Sequence, residues 1–573
     1  MRLILGEIDA GNTNILKAKL AGPAADVAEQ RGVVGSRDGR HAPIFAQRLN
    51  ANLRAPASCR YHRDMPADIA TALYTADQVR RIDRHAIDAC GIPGPMLMQR
   101  AASAAFACLR RRWPDARRLL LLCGTGNNGG DAWLLGATAL YEGFDVQAIG
   151  FGEPRGDASQ ARERFRMAGG HEMRFDGDSA LPSADVIVDG LFGIGLDRDV
   201  GDAAAALIEQ INASRQPVLA LDIPSGLCAD RGVPRGVALR ATATISFVAW
   251  KRGLFTGDAL DYCGELELET LDIPPASRQG IAPDARLLDA NIGYVLPSRC
   301  HNSNKGLYGH VLTLGSDHGV GGAIRMTAEA ALRCGAGKVS IATRAANVSA
   351  INAACPELMV HGIDGPQEFK SLLDGIDVIA LGPGLGQAAW GHALWDAALH
   401  SGLPCVIDAD ALNLLSRESA RLAGGEVISR SSLPKPKHGF HVLTPHPGEA
   451  ARLLGTSTAK IQSDRYGAVR DLAARYNAIV VLKGGGSLIA DPAGHVAVCP
   501  WGNPGMASGG MGDVLTGVIA ALMGQGLSGW DAARLGVAVH ARAGDIAAGA
   551  QPRGLIATDL FPALRQLVNT FSA

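Results

Sequence analysis

From Thr75 onward the chain alternates between two hydrophobic periods. TADQVRRIDRHAIDACGI carries Val79, Ile82, Ala86 and Ile87 at helical spacing behind Thr75, a residue type that caps helices. A second helix is predicted through MLMQRAASAAFACLRRRW. The apolar run LLLLC then enters GTGNNGGDA, WLLGATALYEG reads as a helix and FDVQAIGF as the next strand. Strand, glycine-rich turn, helix, strand is the repeating unit of a parallel sheet covered by helices. Two further apolar runs, in ADVIVDGLFGIGLDRDVGD and PVLALDIPSGLCADRG, also end in polar loops. ATATISFVAWKRGLFTGDALDYCGELELETLDIPP predicts short strands and turns that close this sheet.

The same grammar restarts after PPASRQGIAPDAR, a polar, proline-containing stretch that reads as a domain boundary. KGLYGHVLTLGS predicts a strand, and DHGVGGAIRMTAEAALRCGAGKVSIAT a glycine turn, a long helix and a strand. VIALGPGLG, CVIDADALNLL, HVLTPHPGEAARLLG and AIVVLKGGGSLIA follow as buried strands, each running into a polar or glycine-rich loop. NPGMASGGMGDVLTGVIAALMGQGL places a glycine turn directly before an apolar helix. The expected organisation is a leader over residues 1–65 without a core of its own, a domain over 66–278 and a second domain over 285–573. The leader is read as a disordered extension or as upstream sequence, with an authentic functional extension as the alternative.

Composition narrows the function classes. A chain of 573 residues favours two or more cores. With 55 Lys and Arg against 56 Asp and Glu, nothing favours wrapping a polyanion, so nucleic acid is not an expected partner. The 11 cysteines form no CxxC pairs, which points to a reducing compartment, and the cytoplasm is the expected location. No membrane span is expected, because no apolar run approaches eighteen residues.

Candidate chemistry sits at strand ends. In GTGNNGGDA the glycines let backbone amides approach an anion, while Asn127, Asn128 and Asp131 add polar groups; the alternative is a merely tight turn. Asp189 and Asp222 stand where their strands stop, with Ser225 just beyond. Asn128, Asp189 and Ser225 supply oxygens for a hard cation, potassium or magnesium, or for simple hydrogen bonds; a turn or helix cap is the bland reading of Asp222. Lys251 is placed either at a ligand phosphate or on a solvated face.

In the second half, small residues open the helix of GGAIRMTAEAALR, and Gly384 and Gly386 favour close backbone approach. His446 stands in a proline-constrained turn, either at substrate or in a structural hydrogen bond, and Glu449 caps or charges the following helix. Lys483 precedes its glycines, so KGGGS is not a Walker loop, yet it brings a cation, amides and the Ser487 hydroxyl near a phosphate. Gly509, Gly510 and Gly512 line a turn whose helix amino terminus faces phosphate, and Asp513 is placed to accept a proton; a helix cap is its bland reading.

Together these motifs resemble the bifunctional NAD(P)H-hydrate repair enzymes. GTGNNGGDA, VDGLFGIGL and LDIPSGL resemble the epimerase domain, and ALGPGLG, DADALN, TPHPGEA, LKGGGS and NPGMASGGMGD the dehydratase domain. The resemblance implies an α/β chain, a Rossmann-like three-layer amino-terminal domain followed by a ribokinase-like α/β carboxyl-terminal domain. It implies partners that are hydrated NADH and NADPH, with ADP as co-substrate carrying magnesium, potassium in the epimerase, and a homo-oligomer. The first domain is expected to interconvert R and S hydrates, and the second to dehydrate the S form while ADP becomes AMP and phosphate.

Position by position, the resemblance places potassium on Asn128, Asp189 and Ser225, and epimerase substrate on Asn127, Asn128, Gly129, Gly130, Asp131, Gly193 and Asp222. It places the hydrated dinucleotide at Ala323, Gly386, His446 and Asp513, and the nucleotide at Lys483, Gly484, Gly485, Gly486, Ser487 and Gly512. Asp513 and Asp189 are the catalytic candidates. Several positions depart from the family pattern: LMQRAA with Arg100 for LMENAG, Ala132 for glycine, Gly190 for alanine in DALFG, Met511 for threonine, and KGGGS for KGATT. Ala132 is expected to crowd the approaching ligand, and Met511 to be tolerated if its backbone faces phosphate. A ribokinase-like kinase releasing a stable phosphorylated product is the rival within this chemistry. A silent dinucleotide-binding protein is the rival outside it.

Overall fold

Thr75 caps the helix Ala76–Asp88 as its sequence predicts: its hydroxyl accepts from Gln78 N, and Gln78 Oε1 accepts from Thr75 N. The computed structural model describes residues 59–60, 66–175, 180–289, 296–423 and 433–570. The expected leader lies outside these residues, apart from Cys59–Arg60, a strand paired in parallel with Leu266 and Glu267.

Among the described residues, the first sheet runs Cys59–Arg60, Glu265–Glu269, Ala243–Phe247, Val218–Leu221, Val186–Gly190, Arg118–Cys123, Asp145–Gly150, His171–Met173, all parallel. The LLLLC run is apolar throughout because both faces are covered. Leu119 and Leu121 pack with the helices Gly94–Arg112 and Asn127–Tyr141, while Leu120 and Leu122 pack with Asp202–Ser214. These are the three expected layers.

The second sheet runs Met359–Gly362, Lys338–Thr343, His310–Leu314, Val378–Leu381, Cys405–Ile407, Val442–Leu443, Ile479–Leu482, then Leu488–Ala490, Val496–Val498, Ala285–Leu287, Ala72–Tyr74 and Trp250–Lys251. Its first seven strands are parallel, and Leu488–Ala490 turns back antiparallel. One face carries the helices Ala389–Leu399, Pro447–Leu454 and Arg465–Tyr476, the other Gly321–Arg333, Met511–Gly524 and Gly529–Ala548.

Two expectations about the middle of the chain are corrected. The boundary stretch is not all linker: Ala285–Leu287 pairs in parallel with Val496–Val498 and antiparallel with Ala72–Tyr74. Trp250–Lys251 does not close the first sheet either. The backbone turns through a left-handed Val248, and the pair forms a ladder with Ala72–Tyr74 at the edge of the second sheet. Burial drives this: the Trp250 ring is fully enclosed, donates Nε1 to Ala70 O at 3.1 Å and meets Phe255 edge-on at 5.1 Å.

The run NNGGD is likewise not a loop but the first turn of the helix Asn127–Tyr141. Only Gly124–Gly126 turns, and Gly129 is required because a Cβ there would stand 2.0 Å from Gly124 O. The two family departures in this region face each other. A Cβ at Gly190 would stand 2.6 Å from the Ala132 methyl and 2.6 Å from Asn128 O, so the helix carries a methyl where the strand has none. Ala132 is fully buried under Gly190 and does not crowd a ligand.

Gly190→Ala is therefore expected to destabilise the protein by roughly 1–3 kcal/mol through overpacking. The same change in an Ala132→Gly background should cost less, with a favourable coupling of roughly 0.5–3 kcal/mol in a double-mutant cycle of denaturant midpoints. Additive single effects would show that the two sites do not compensate.

Candidate active sites

Loops gather where strand order reverses in a parallel sheet, because neighbouring connections there leave in opposite directions and open a crevice. In the first sheet the reversal lies between Arg118–Cys123 and Val186–Gly190. A cavity of about 590 Å³ opens there, lined among others by Asn127, Asn128, Gly129, Asp131, Gly193 and Asp222. Of the seven positions expected at the epimerase substrate, Gly130 alone does not line it. Its helical direction points elsewhere: a Cβ there would meet Met98 at 2.6 Å.

Asn128, Asp189 and Ser225 are brought together behind the cavity. Ser225 Oγ donates to Asp189 Oδ1 at 2.6 Å, and Ser225 N to Asp189 Oδ2 at 2.8 Å. Phe192 N donates to Ser225 Oγ at 2.8 Å, and Asn128 Nδ2 donates to Phe192 O at 3.1 Å. Asn128 Oδ1 is buried with no hydrogen-bond partner. Burial pushes the Asp189 carboxyl up to about 6 against the opposing hydrogen bonds from Ser225 and Leu191 N. Asp189 is fully enclosed and is not among the residues lining the cavity.

Besides Asp157 and Asp197, the carboxylates that line the cavity are Asp83, Asp131 and Asp222. They surround Lys251, which is neither solvated nor free for a phosphate: it is fully buried and ion-paired to Asp222. Lys251 Nζ also donates to Phe247 O at 2.7 Å and to Ser246 Oγ at 3.1 Å. Burial, with Asp222 adding to it, pushes Asp83 up to about 6. Burial and the charges of Asp222 and Asp83 hold Asp131 well above the carboxylate range. Asp83 escaped sequence reading. The available signal was a carboxylate four residues after Val79, on the buried face of an otherwise apolar helix stripe.

In the second sheet the reversal lies between His310–Leu314 and Val378–Leu381. Gly384 and Gly386 both adopt left-handed backbones there, with Gly384 against Ser316 and Val320 and Gly386 against Asp317. Gly386 N donates to Asp410 Oδ2 at 2.9 Å. Ala323 stands in the first turn of Gly321–Arg333. That helix runs in the same sense as Met511–Gly524, whose Gly517 fits against Thr327 O, so both amino termini open at this end.

Asp513 is the third residue of its helix. Nearby, Lys483 Nζ donates to Asp408 Oδ1 at 2.6 Å and lies 3.9 Å from Glu449; Thr516 Oγ1 donates to Asp408 Oδ2 at 2.9 Å. Gly512 closes over this pair: a Cβ would stand 3.1 Å from Lys483 Nζ. Burial, then the Asp408 charge, push Asp513 up to about 7, with Lys483 opposing. Burial likewise raises Glu449 to about 7. Met511 is buried in the core behind the turn, as expected if its backbone faces ligand.

His446 caps the helix Pro447–Leu454 through Nδ1, which accepts from Gly448 N at 3.0 Å, and Nε2 lies 3.4 Å from Glu449 Oε1. The ring is half-exposed, and burial with the Lys483 charge lowers its basicity. Asp408 was not singled out from DADALN, because an Asp at a strand end reads equally as a cap.

Comparison with known proteins follows this division. Residues 311–566 match the model described as NAD(P)H-hydrate dehydratase, and residues 94–253 the one described as YjeF-related protein N-terminus. The chain is 43% identical to the bifunctional NAD(P)H-hydrate repair enzyme Nnr of Coxiella burnetii, over 87% of this chain and 100% of that protein. It is 41% identical to the Escherichia coli protein of that name, over 88% of this chain and 95% of the relative. The solved ADP/ATP-dependent NAD(P)H-hydrate dehydratase of Bacillus subtilis, co-crystallised with ATP and magnesium, is 28% identical, covers 49% of this chain and 96% of its own, and aligns with a TM-score of 0.43. With both crevices placed and both halves matched, the chain belongs to the bifunctional NAD(P)H-hydrate repair enzyme family, with an epimerase and a dehydratase half.

Proposed function

We propose that this chain interconverts the R and S hydrates of NADH and NADPH in a unit over 66–278, and dehydrates the S form with ADP in a unit over 285–573. The observation that carries the second step is Asp513, a carboxylate at a helix amino terminus beside Lys483 and Asp408. Hydroxide is a poor leaving group. Transfer of the ADP β-phosphoryl group to the ring hydroxyl releases AMP, and the hydroxyl proton passes to Asp513. Phosphate then departs with the C–O electron pair, a proton leaves the neighbouring carbon, and the ring double bond returns.

Lys483, the glycines Gly484–Gly486, Ser487 and Gly512 hold the nucleotide in this reading, while Ala323, Gly386 and His446 face the hydrated dinucleotide. Two buried carboxylates, Asp408 and Glu449, and the half-buried Asp513 face one lysine cation, which suits a divalent ion arriving with the nucleotide. Magnesium arriving with the nucleotide would supply charge neutralisation for the phosphoryl group, with Glu449 as the carboxylate that would hold it. Among the described residues no three His, Cys, Asp or Glu side chains form a ready-made metal cage.

For the first step, Asp131 and Asp83 serve as proton donor and acceptor on the cavity wall, with the ion pair of Asp222 and Lys251 setting their charge. Inverting the hydroxyl-bearing carbon requires a bond there to break and re-form, and a proton donor and acceptor on the same wall assist both stages. The orphaned Asn128 Oδ1, with Asp189, Ser225 and Phe192 O, suits a potassium ion, which would supply a fixed positive charge there. Free, mostly buried thiols support a cytoplasmic setting, and a homo-oligomer remains part of this reading.

The decisive assay incubates purified protein with an R/S mixture of hydrated NADPH, with and without ADP, and follows NADPH by absorbance and chromatography. Complete conversion only with ADP is expected; a stable phosphorylated product would favour a kinase instead. Asp513→Asn should lower dehydration roughly 100- to 10,000-fold while epimerisation persists. Asp131→Asn should lower epimerisation by a similar factor of roughly 100 or more, with dehydration of pure S hydrate retained. Because Asp513 must be ionised to accept a proton and its free-enzyme value is raised to about 7, kcat/KM for dehydration should rise with pH through about 7 and level off above it. A flat profile between pH 6 and pH 8 would remove Asp513 as the base.

A further inference from the structure

The glycine-rich loop that carries Lys483 is buttressed by the other half of the chain. Gly486 is buried, and a Cβ there would stand 1.8 Å from Phe255 O, so only hydrogen fits between the two backbones. Gly486 also has φ of 59°, a backbone that favours glycine. Thr256, fully buried, donates its hydroxyl to Gly486 O at 2.9 Å and approaches Gly485 O at 3.3 Å. Gly257 N donates to Gly485 O at 3.1 Å. Three consecutive residues of the first half thus replace solvent along one side of the loop.

Arg465 joins them from the second half. It is 1% exposed, accepts no solvent role, and spends its donors inward. Nε donates to Thr256 Oγ1 at 2.9 Å, one terminal nitrogen to Leu482 O and Lys483 O at 3.3 Å, and the other to Gln462 Oε1 at 2.8 Å. The Thr256 hydroxyl is consequently a relay between a buried guanidinium and the loop carbonyl. Its segment is anchored upstream as well: Arg252 O accepts from Tyr466 Oη at 2.8 Å, and the Arg252 guanidinium binds Asp284, which Arg470 also binds. Neither a methyl nor a branched side chain has room at Gly486 beneath Phe255.

We propose that Thr256, with Arg465, is a positioning residue for the loop Lys483–Ser487, so that the amino-terminal half completes the ADP site of the carboxyl-terminal half. This rests on the reading of that loop as the nucleotide site. A glycine-rich loop has the most conformational freedom to lose on binding phosphate, and a hydrogen-bonded buttress removes that freedom in advance. The effect belongs in nucleotide affinity rather than in the chemical step, because Thr256 bonds to the loop backbone and to Arg465, and not to Asp513 or Asp408.

The test uses the full-length protein and steady-state dehydration of S hydrate with ADP varied. Thr256→Val keeps the shape but removes the hydroxyl, and is expected to raise the KM for ADP roughly 5- to 50-fold while kcat at saturating ADP stays within about twofold. Thr256→Ser retains the hydroxyl and should return the KM to within about twofold of wild type. Ser487→Asp, which places a negative charge on the loop itself, tests the underlying reading and should weaken ADP in either case. An unchanged KM in Thr256→Val beside a raised one in Ser487→Asp overturns the positioning role alone. Unchanged values in both overturn the assignment of the loop to nucleotide. Loss of kcat or thermal stability in Thr256→Val without a selective rise in KM, or failure of Thr256→Ser to restore it, reduces Thr256 to a structural residue.

Discussion

Parallel strands end in loops that have no hairpin partner, and where strand order reverses those loops part and leave backbone amides facing an open crevice. That constraint places both sites. In the first half it opens the cavity between Arg118–Cys123 and Val186–Gly190, and in the second it brings the turns after His310–Leu314 and Val378–Leu381 together.

Each crevice is then charged in the same way. One lysine faces three carboxylates: the buried Lys251 with Asp83, Asp131 and Asp222, and the partly buried Lys483 with Asp408, Glu449 and Asp513. A buried cation is costly without a partner, so one carboxylate is committed to each lysine, Asp222 and Asp408 respectively. The remaining acids are left short of positive charge, and burial raises them toward neutrality. Groups with that balance exchange protons near physiological pH, which is what acid–base work on a carbinol requires.

The family departures that look hazardous in the sequence are packing solutions. Ala132 and Gly190 meet across one helix–strand contact, and Gly486 of KGGGS makes room for a carbonyl from the other half. The strands Ala72–Tyr74 and Trp250–Lys251 extend the second sheet from the first half, and Trp250 and Phe255 share a core with Tyr466 and Leu482. The two halves are therefore one packed body at their junction, and the nucleotide loop is part of that junction.

Local pattern alone determined a good deal. Continuous apolar runs marked strands covered on both faces, Thr75 marked a helix start through a capping box formed by nearest neighbours, and Asp189, Asp222 and Asp513 stood at strand or helix ends because periodicity stops there. What tertiary structure decided was direction. Helical rotation turns Gly130 toward Met98 and Asp83 toward the cavity, and enclosure keeps Asp189 and Lys251 out of the cavity lining. The partner of a strand end or a glycine lies far along the chain, as with Asp408 and Lys483 or Phe255 and Gly486. Such pairings depend on which surfaces close together, and no local spacing encodes them.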